Sequence, residues 1–101
     1  MTASSRPHGA VREQVGFVES VTHPGQGTGP RFIAELSTVE PAPGATSRVG
    51  QRIRLVWIGQ RVVPGIVPGC RLRIRGFMSD QDGTTTVYNP RFDLLPKVIR
   101  D

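Results

Sequence analysis

The chain has 101 residues, a formal net charge of +5 at pH 7 and a sequence pI near 11. This length supports one domain with one hydrophobic core, and the basic balance favours a polyanionic partner or a generally cationic surface. The single cysteine, Cys70, excludes an intrachain disulfide and a zinc site built from cysteines. The polar segment Met1–Pro7 lacks the apolar core of a signal peptide, and no apolar run approaches bilayer length, so we expect a soluble, cytoplasmic protein with no membrane partner.

Turn-rich segments divide the chain into short strands, with no helix of three turns. Residues 1–10 are expected to be a disordered tail and residues 97–101 a second tail, on either side of a domain at residues 11–96. Gly16 lies in the middle of the long first strand, where it suits a bulge or a bend. In chain order, the predicted strands are Val11–Thr22, Arg31–Thr38, Gln51–Ile58, Cys70–Met78 and Thr84–Tyr88, followed by a short return at Arg91–Leu95.

The connections are rich in proline and glycine. Residues 39–49 form a long link that we expect to be mobile. The crossover at residues 59–69 has two prolines and three glycines, which limit any helix there to a single turn. Asp82-Gly83 is typical of a hairpin turn, and Asn89-Pro90 is interpreted as a structural exit from the fifth strand.

Arginine is concentrated in the middle of the chain. Twelve of the 13 lysine and arginine residues are arginine, whose planar guanidinium grips phosphate with two hydrogen bonds and stacks on bases. A GC-rich genome also raises arginine content, regardless of function. Codon bias does not remove acids, however, and residues 41–79 contain seven arginines and no Asp or Glu. The clustering therefore favours a nucleic-acid partner.

Alternation along the third and fourth strands separates an apolar face from an arginine face. The apolar side chains are expected to fill a barrel: Ile53, Leu55, Trp57, Leu72 and Ile74. The arginines then point outward: Arg52, Arg54, Arg71, Arg73 and Arg75. The strand plan predicts an all-β, five-stranded Greek-key barrel of the OB-fold type, with a short Pro/Gly crossover between the third and fourth strands. An SH3-like barrel has a similar length, but the long first strand and the interruption after the third favour the OB fold.

The segment from Gly50 to Leu95 resembles small single-domain OB-fold nucleic-acid-binding proteins of actinobacteria. It is more distantly similar to the wedge-type OB domains of the fork-reversing helicase RecG and of the exonuclease VII large subunit. The shared features are an aromatic end to the third strand at Trp57, a Pro68-Gly69 turn into the fourth, and the Asn89-Pro90-Arg91-Phe92 exit. The resemblance implies a nucleic-acid-binding module, with DNA preferred over RNA. It implies no fork-remodelling or nuclease role, because the motor and nuclease domains of the distant relatives are absent.

The ligand of an OB fold lies across the second and third strands, between the loops that join strands one to two and four to five. This position predicts phosphate contacts on the outer side of those strands, although Asp80 and Asp82 in the second loop would repel phosphate. Among the aromatic residues, Phe32, Trp57 and Phe17 are expected in the core. Phe77 is expected on the same face of the fourth strand as Arg71, Arg73 and Arg75. The predicted nucleic-acid-binding residues are Arg31, Arg52, Arg54, Arg61, Phe77, Tyr88 and Arg91.

The spacing of the two histidines and the acids suggests no catalytic constellation and no zinc-ligand set, so we expect no enzyme activity, cofactor or metal. The first hypothesis is weak, charge-driven binding of single-stranded or junction DNA, for which Trp57 would serve as a fluorescent probe. It requires that the exposed arginines not be neutralised by Glu13, Glu19 or Glu35. The alternative is a protein-interaction module that docks a DNA-processing or other enzyme. Nothing in the sequence determines the oligomeric state.

Overall fold

Alternating apolar residues build six β-strands in the computed structural model, which describes residues 9–24, 27, 29–38 and 51–96. These ranges contain no helix, and therefore none that is long and apolar enough to cross a membrane. The strands are β1 (Gly9–Thr22), β2 (Arg31–Ser37), β3 (Arg52–Ile58), β4 (Arg71–Gln81), β5 (Thr84–Tyr88) and β6 (Arg91–Leu95). All five predicted strands and the short return are confirmed, within three residues at each end. The link at residues 39–49 and all but Gly9 and Ala10 of the two predicted tails lie outside the described residues.

The strands form one sheet that closes into a barrel. Its order is β1-β2-β3-β5-β4-β6, and β1 also pairs with β4, so that five strands close and β6 extends from β4 outside the ring. The β3–β5 pair is parallel, and all the others are antiparallel. This is the strand order of the predicted OB-fold barrel.

Barrel closure depends on β1, which pairs with two different strands. Its residues 9–17 pair with β4, and its residues 17–22 pair with β2. Gly16 lies at the change of partner, where a Cβ atom would stand 2.5 Å from the carbonyl oxygen of Ser37 and 2.8 Å from Leu36. Only glycine permits this approach of β2. The bulge itself lies further along, between Val18 and Ser20, where the register shifts.

The barrel interior is filled by the side chains that alternate inward. Val63 and Ile66 of the crossover join them in the core. Phe17, which we expected in the core, is half-buried on the outer side, in register with Ser37 and Arg71. The core cluster is Val18, Phe32, Ala34, Leu36, Ile53, Leu55, Trp57, Val63, Ile66, Leu72, Ile74, Met78 and Val87.

Two tight turns take their shape from their residue types. Asp82 and Gly83 both have positive φ, of 53° and 82°, as a two-residue hairpin of the primed type requires. Asn89 has φ of 50°; its amide donates to the carbonyl of Val56 at 2.6 Å, and its Oδ1 accepts from the amide of Ile58 at 2.9 Å. The Asn89-Pro90 exit is therefore structural, as predicted: it continues the β5–β3 pairing and then releases the chain toward β6.

Substitution of Asn89 separates the two contributions of this residue. Asn89→Ala is expected to lower the free energy of unfolding by about 2 kcal/mol, because it strains a left-handed position and removes the acceptor for the Ile58 amide. Asn89→Gly removes only the acceptor and is expected to cost about 1 kcal/mol, whereas Asn89→Asp keeps it. Urea unfolding followed by Trp57 fluorescence measures all three. Equal losses in the alanine and glycine variants would contradict the strain argument.

Candidate functional site

The outer face of β2 and β3, where an OB fold places its ligand, is neutralised by ion pairs. Arg54 lies directly opposite Glu35, and its Nε is 2.9 Å from the Glu35 Oε2. Arg52 reaches Glu19 on β1, with 3.0 Å between Nε and Oε1. The hypothesis of unpaired arginines on this face is therefore wrong for both residues.

The two acids, Glu19 and Glu35, lie on β1 and β2, outside the acid-free segment at residues 41–79. Glu35 comes to Arg54 through antiparallel pairing across 19 positions, and Glu19 comes to Arg52 at the irregular step of β1 between Val18 and Ser20. Arginines in a segment without acids can thus form ion pairs with acids on neighbouring strands of the sheet. The useful signal was the alternation of β2, which put Glu35 in phase with Arg31 and therefore on the ligand side.

The other two predicted arginines of this region do not converge with Arg52 and Arg54. Arg31 lies opposite Ile58 at the far end of the β2–β3 pair, about 20 Å along the strand from Ser37, the residue opposite Arg52. Its Nε is buried without a hydrogen-bond partner in the described parts of the chain. Arg61 lies in the exposed crossover, where its carbonyl is 3.2 Å from the His23 Nδ1.

The groove between β3 and the β4–β5 hairpin carries no excess of positive charge. It has a volume of about 540 Å³, and its charged lining residues are Glu35, Arg52, Arg54 and Asp80. Two arginines therefore face two acids. Asp80 also accepts a hydrogen bond from the Thr85 hydroxyl at 3.2 Å, which holds its carboxylate at the groove. At that position, the Asp80 carboxylate would repel a phosphate that entered the groove, as expected from the sequence.

Exposed aromatic rings occur on β4 and β5, at residues that do not line this groove. Phe77 is 43% exposed and Tyr88 is 48% exposed. Because Met78 pairs with Val87, the next outward positions on the two strands are those of Phe77 and Tyr88. The Tyr88 hydroxyl donates to the Gln81 Oε1 at 3.0 Å, and the Phe77 ring lies over Gly9 of β1. The outward orientation predicted for Phe77 is confirmed, and the Tyr88 side chain is exposed as well.

The other candidate aromatic residues are core residues, as expected. Phe32 is 2% exposed and Trp57 is 3% exposed, with ring centroids 5.9 Å apart. The Trp57 indole donates to the carbonyl of Pro90 at 3.2 Å. Because Trp57 is enclosed, its fluorescence reports on unfolding; its use as a probe of binding stays a prediction.

The arginines of β4 and β6 lie on a surface that we call the β4 face. Arg73 is 3.7 Å from both Glu13 and Asp93. No ion pair involves Arg75 or Arg91 within the ranges that the structure covers. The β4 face consists of the outward side chains of β4 and their neighbours on β5 and β6: Arg71, Arg73, Arg75, Phe77, Tyr88, Arg91 and Asp93. The predicted residues Phe77, Tyr88 and Arg91 therefore lie on one surface, beside arginines that the prediction did not include.

No protein family, curated protein or solved structure matches this chain. The resemblance to OB-fold proteins of actinobacteria and to the two wedge-type domains stays a prediction. Cys70 is a free, half-buried thiol packed against the core cluster. Among the described residues, no three His, Cys, Asp or Glu side chains are grouped so that they could hold a metal ion.

The Arg54–Glu35 pair is expected to contribute little to stability. Its two side chains are 46% and 23% exposed, and ion pairs on a surface are usually worth below about 1 kcal/mol. A double-mutant cycle with Arg54→Ala and Glu35→Ala is expected to give a coupling energy below this value that falls with added salt. A cycle between Arg54 and Glu13, which share no contact, provides the zero reference. A coupling above about 2 kcal/mol would contradict this assignment.

Proposed function

We propose that this barrel binds single-stranded nucleic acid through the β4 face, without catalysis and with weak sequence preference. The observation that carries the proposal is that two exposed aromatic rings, Phe77 and Tyr88, share a face of the sheet with Arg75 and Arg91, for which the described residues supply no ion pair. Cations that neutralise phosphate, together with rings on which bases stack, are the combination that non-specific single-strand binding uses.

The charge balance of the β4 face supports this proposal. Arg71, Arg73, Arg75 and Arg91 are opposed by Glu13 on β1 and Asp93 on β6. Four cations therefore face two acids, in contrast to the neutral groove beside β3. Attraction for a polyanion depends on this excess, because each phosphate contact gains free energy from released counterions.

The two aromatic rings supply surfaces on which bases can stack, which charge alone does not provide. Phe77 and Tyr88 are held on strands rather than on loops, and each is anchored at one side, by Gly9 and by Gln81. A ring that is already ordered loses little side-chain entropy when a base stacks on it. DNA is the proposed substrate on the resemblance of the sequence alone, and a cytoplasmic location stays a prediction from the same source.

Removal of the rings tests the proposal. Phe77→Ala and Tyr88→Ala are each expected to weaken binding of a labelled single-stranded oligonucleotide about tenfold, since one stacked base is worth about 1–3 kcal/mol. Tyr88→Phe keeps the ring and is expected to bind like the parent. Fluorescence anisotropy at two salt concentrations gives the affinities, with weaker binding at the higher salt.

Val67→Ala is the matched control, because Val67 is 55% exposed on the crossover and is not one of the residues of the β4 face. It is expected to leave the affinity unchanged. Affinities in both ring variants equal to that of the Val67 control would overturn the proposal. Tighter binding to a duplex than to a single strand would also contradict it, since stacking needs unpaired bases.

The second candidate is a protein-interaction module, and a different observation favours it. Four large apolar side chains are about half exposed or more at the crossover end of the barrel: Ile58, Val62, Val67 and Leu94. A protein partner would cover these residues, whereas a nucleic acid would not. A purified partner enzyme that binds stoichiometrically and protects this end from hydrogen exchange, with no retention of the chain on single-stranded DNA, would select this candidate.

A further inference from the structure

Two arginines oppose each other directly on the β4 face. In the antiparallel β4–β6 pair, Arg75 and Arg91 are Cα partners. Side chains at such positions leave the same side of the sheet with their Cβ atoms about 5 Å apart. Like charges in this arrangement repel and destabilise the strand pair unless an anion lies between them.

The nearby acids do not serve as that anion. Glu13 is the partner of Arg75 on β1, yet its carboxylate is paired diagonally with Arg73, at 3.7 Å. Asp93, two residues beyond Arg91, also reaches Arg73 at 3.7 Å. Arg73 thus holds both carboxylates. Arg75 and Arg91 are left without an ion pair in the part of the chain that the structure describes.

The two side chains border a hollow that has room for a ligand. Its volume is about 370 Å³, which corresponds to roughly a dozen waters at about 30 Å³ each. Phe92 contributes to its wall, and the lining residues are Glu13, Arg73, Arg75, Arg91, Phe92 and Asp93. Three arginines and two acids give the hollow a net charge of +1, with the positive excess at the Arg75–Arg91 end.

We infer that Arg75 and Arg91 form a phosphate clamp, in which one phosphate group lies between the two guanidinium groups. Each guanidinium presents a planar fork of donors that matches two oxygens of a phosphate. The bound anion converts a repulsive cross-strand pair into a bridged one, so that binding and fold stability are coupled. The inference rests on the proposed function for the source of the phosphate, the nucleic-acid backbone, but the same clamp would take the phosphate of a small molecule.

Inorganic phosphate is the probe for the clamp. The full chain is unfolded thermally, with Trp57 fluorescence as the signal, while phosphate replaces chloride at constant ionic strength. The melting temperature is expected to rise by about 6 °C once phosphate reaches about ten times its dissociation constant. No rise relative to chloride would overturn the clamp.

Arg91→Glu is the decisive variant, because it places an acid opposite Arg75. In phosphate-free buffer, it is expected to melt about 3 °C above the parent chain, and it is expected to lose the response to phosphate. Arg91→Gln, which removes the repulsion without adding a charge, is expected to lose the response as well. Arg61→Glu makes the same change in net charge on the crossover, at a residue that does not line the hollow, and is expected to keep the full response. A response in either Arg91 variant equal to that of the parent would overturn the inference.

A short single-stranded oligonucleotide separates the two sources of phosphate. If the backbone is the source, the oligonucleotide competes with phosphate, and Arg91→Glu weakens its binding at least tenfold while Arg61→Glu does so much less. A phosphate response without any oligonucleotide binding would keep the clamp, assign it to a small phosphorylated molecule and overturn the proposed function. Oligonucleotide binding that is insensitive to Arg91→Glu would overturn the clamp and leave the proposed function standing.

Discussion

The structure depends on one strand with two partners. β1 pairs with β4 through its first half and with β2 through its second, and this double pairing closes the sheet into a barrel. The change of partner needs a position where β2 approaches the backbone of β1, and Gly16 provides it: an added Cβ would lie 2.5 Å from the Ser37 carbonyl oxygen. Without that approach, the six strands would form an open sheet with two long exposed edges, a form that invites aggregation.

Closure also decides which charges meet on the outside. In a closed barrel, every outward side chain has neighbours on two other strands, and those neighbours come from distant parts of the sequence. Arg54 therefore meets Glu35 and forms an ion pair with it, whereas Arg75 lies between Arg91 and Glu13, whose carboxylate is paired with Arg73 instead. The two arginine-bearing strands look alike in sequence, but their surroundings give them different electrostatic character.

The proposed function follows from this difference. The groove beside β3, where an OB fold is expected to bind, contains balanced charges and no exposed ring among its described lining residues. The β4 face combines excess arginine with the rings of Phe77 and Tyr88. A single-stranded nucleic acid has phosphates for the arginines of the β4 face and unpaired bases for its rings. The proposed phosphate clamp adds a specific position on this face for one phosphate group.

The amino-acid sequence alone predicts the strands, because each has a period-two pattern bounded by turn residues with defined backbone preferences. It gave the barrel order through the long first strand and the short crossover, the inward direction of Trp57, the outward direction of Phe77, and the roles of Asp82-Gly83 and Asn89. Three features became visible only in the folded barrel: the ion pairing of Arg52 and Arg54, the half-buried position of Phe17, and the direct opposition of Arg75 and Arg91. These features depend on register between strands far apart in the chain. A shift of two residues keeps every inward and outward direction but changes every partner, so alternation alone cannot fix the pairs.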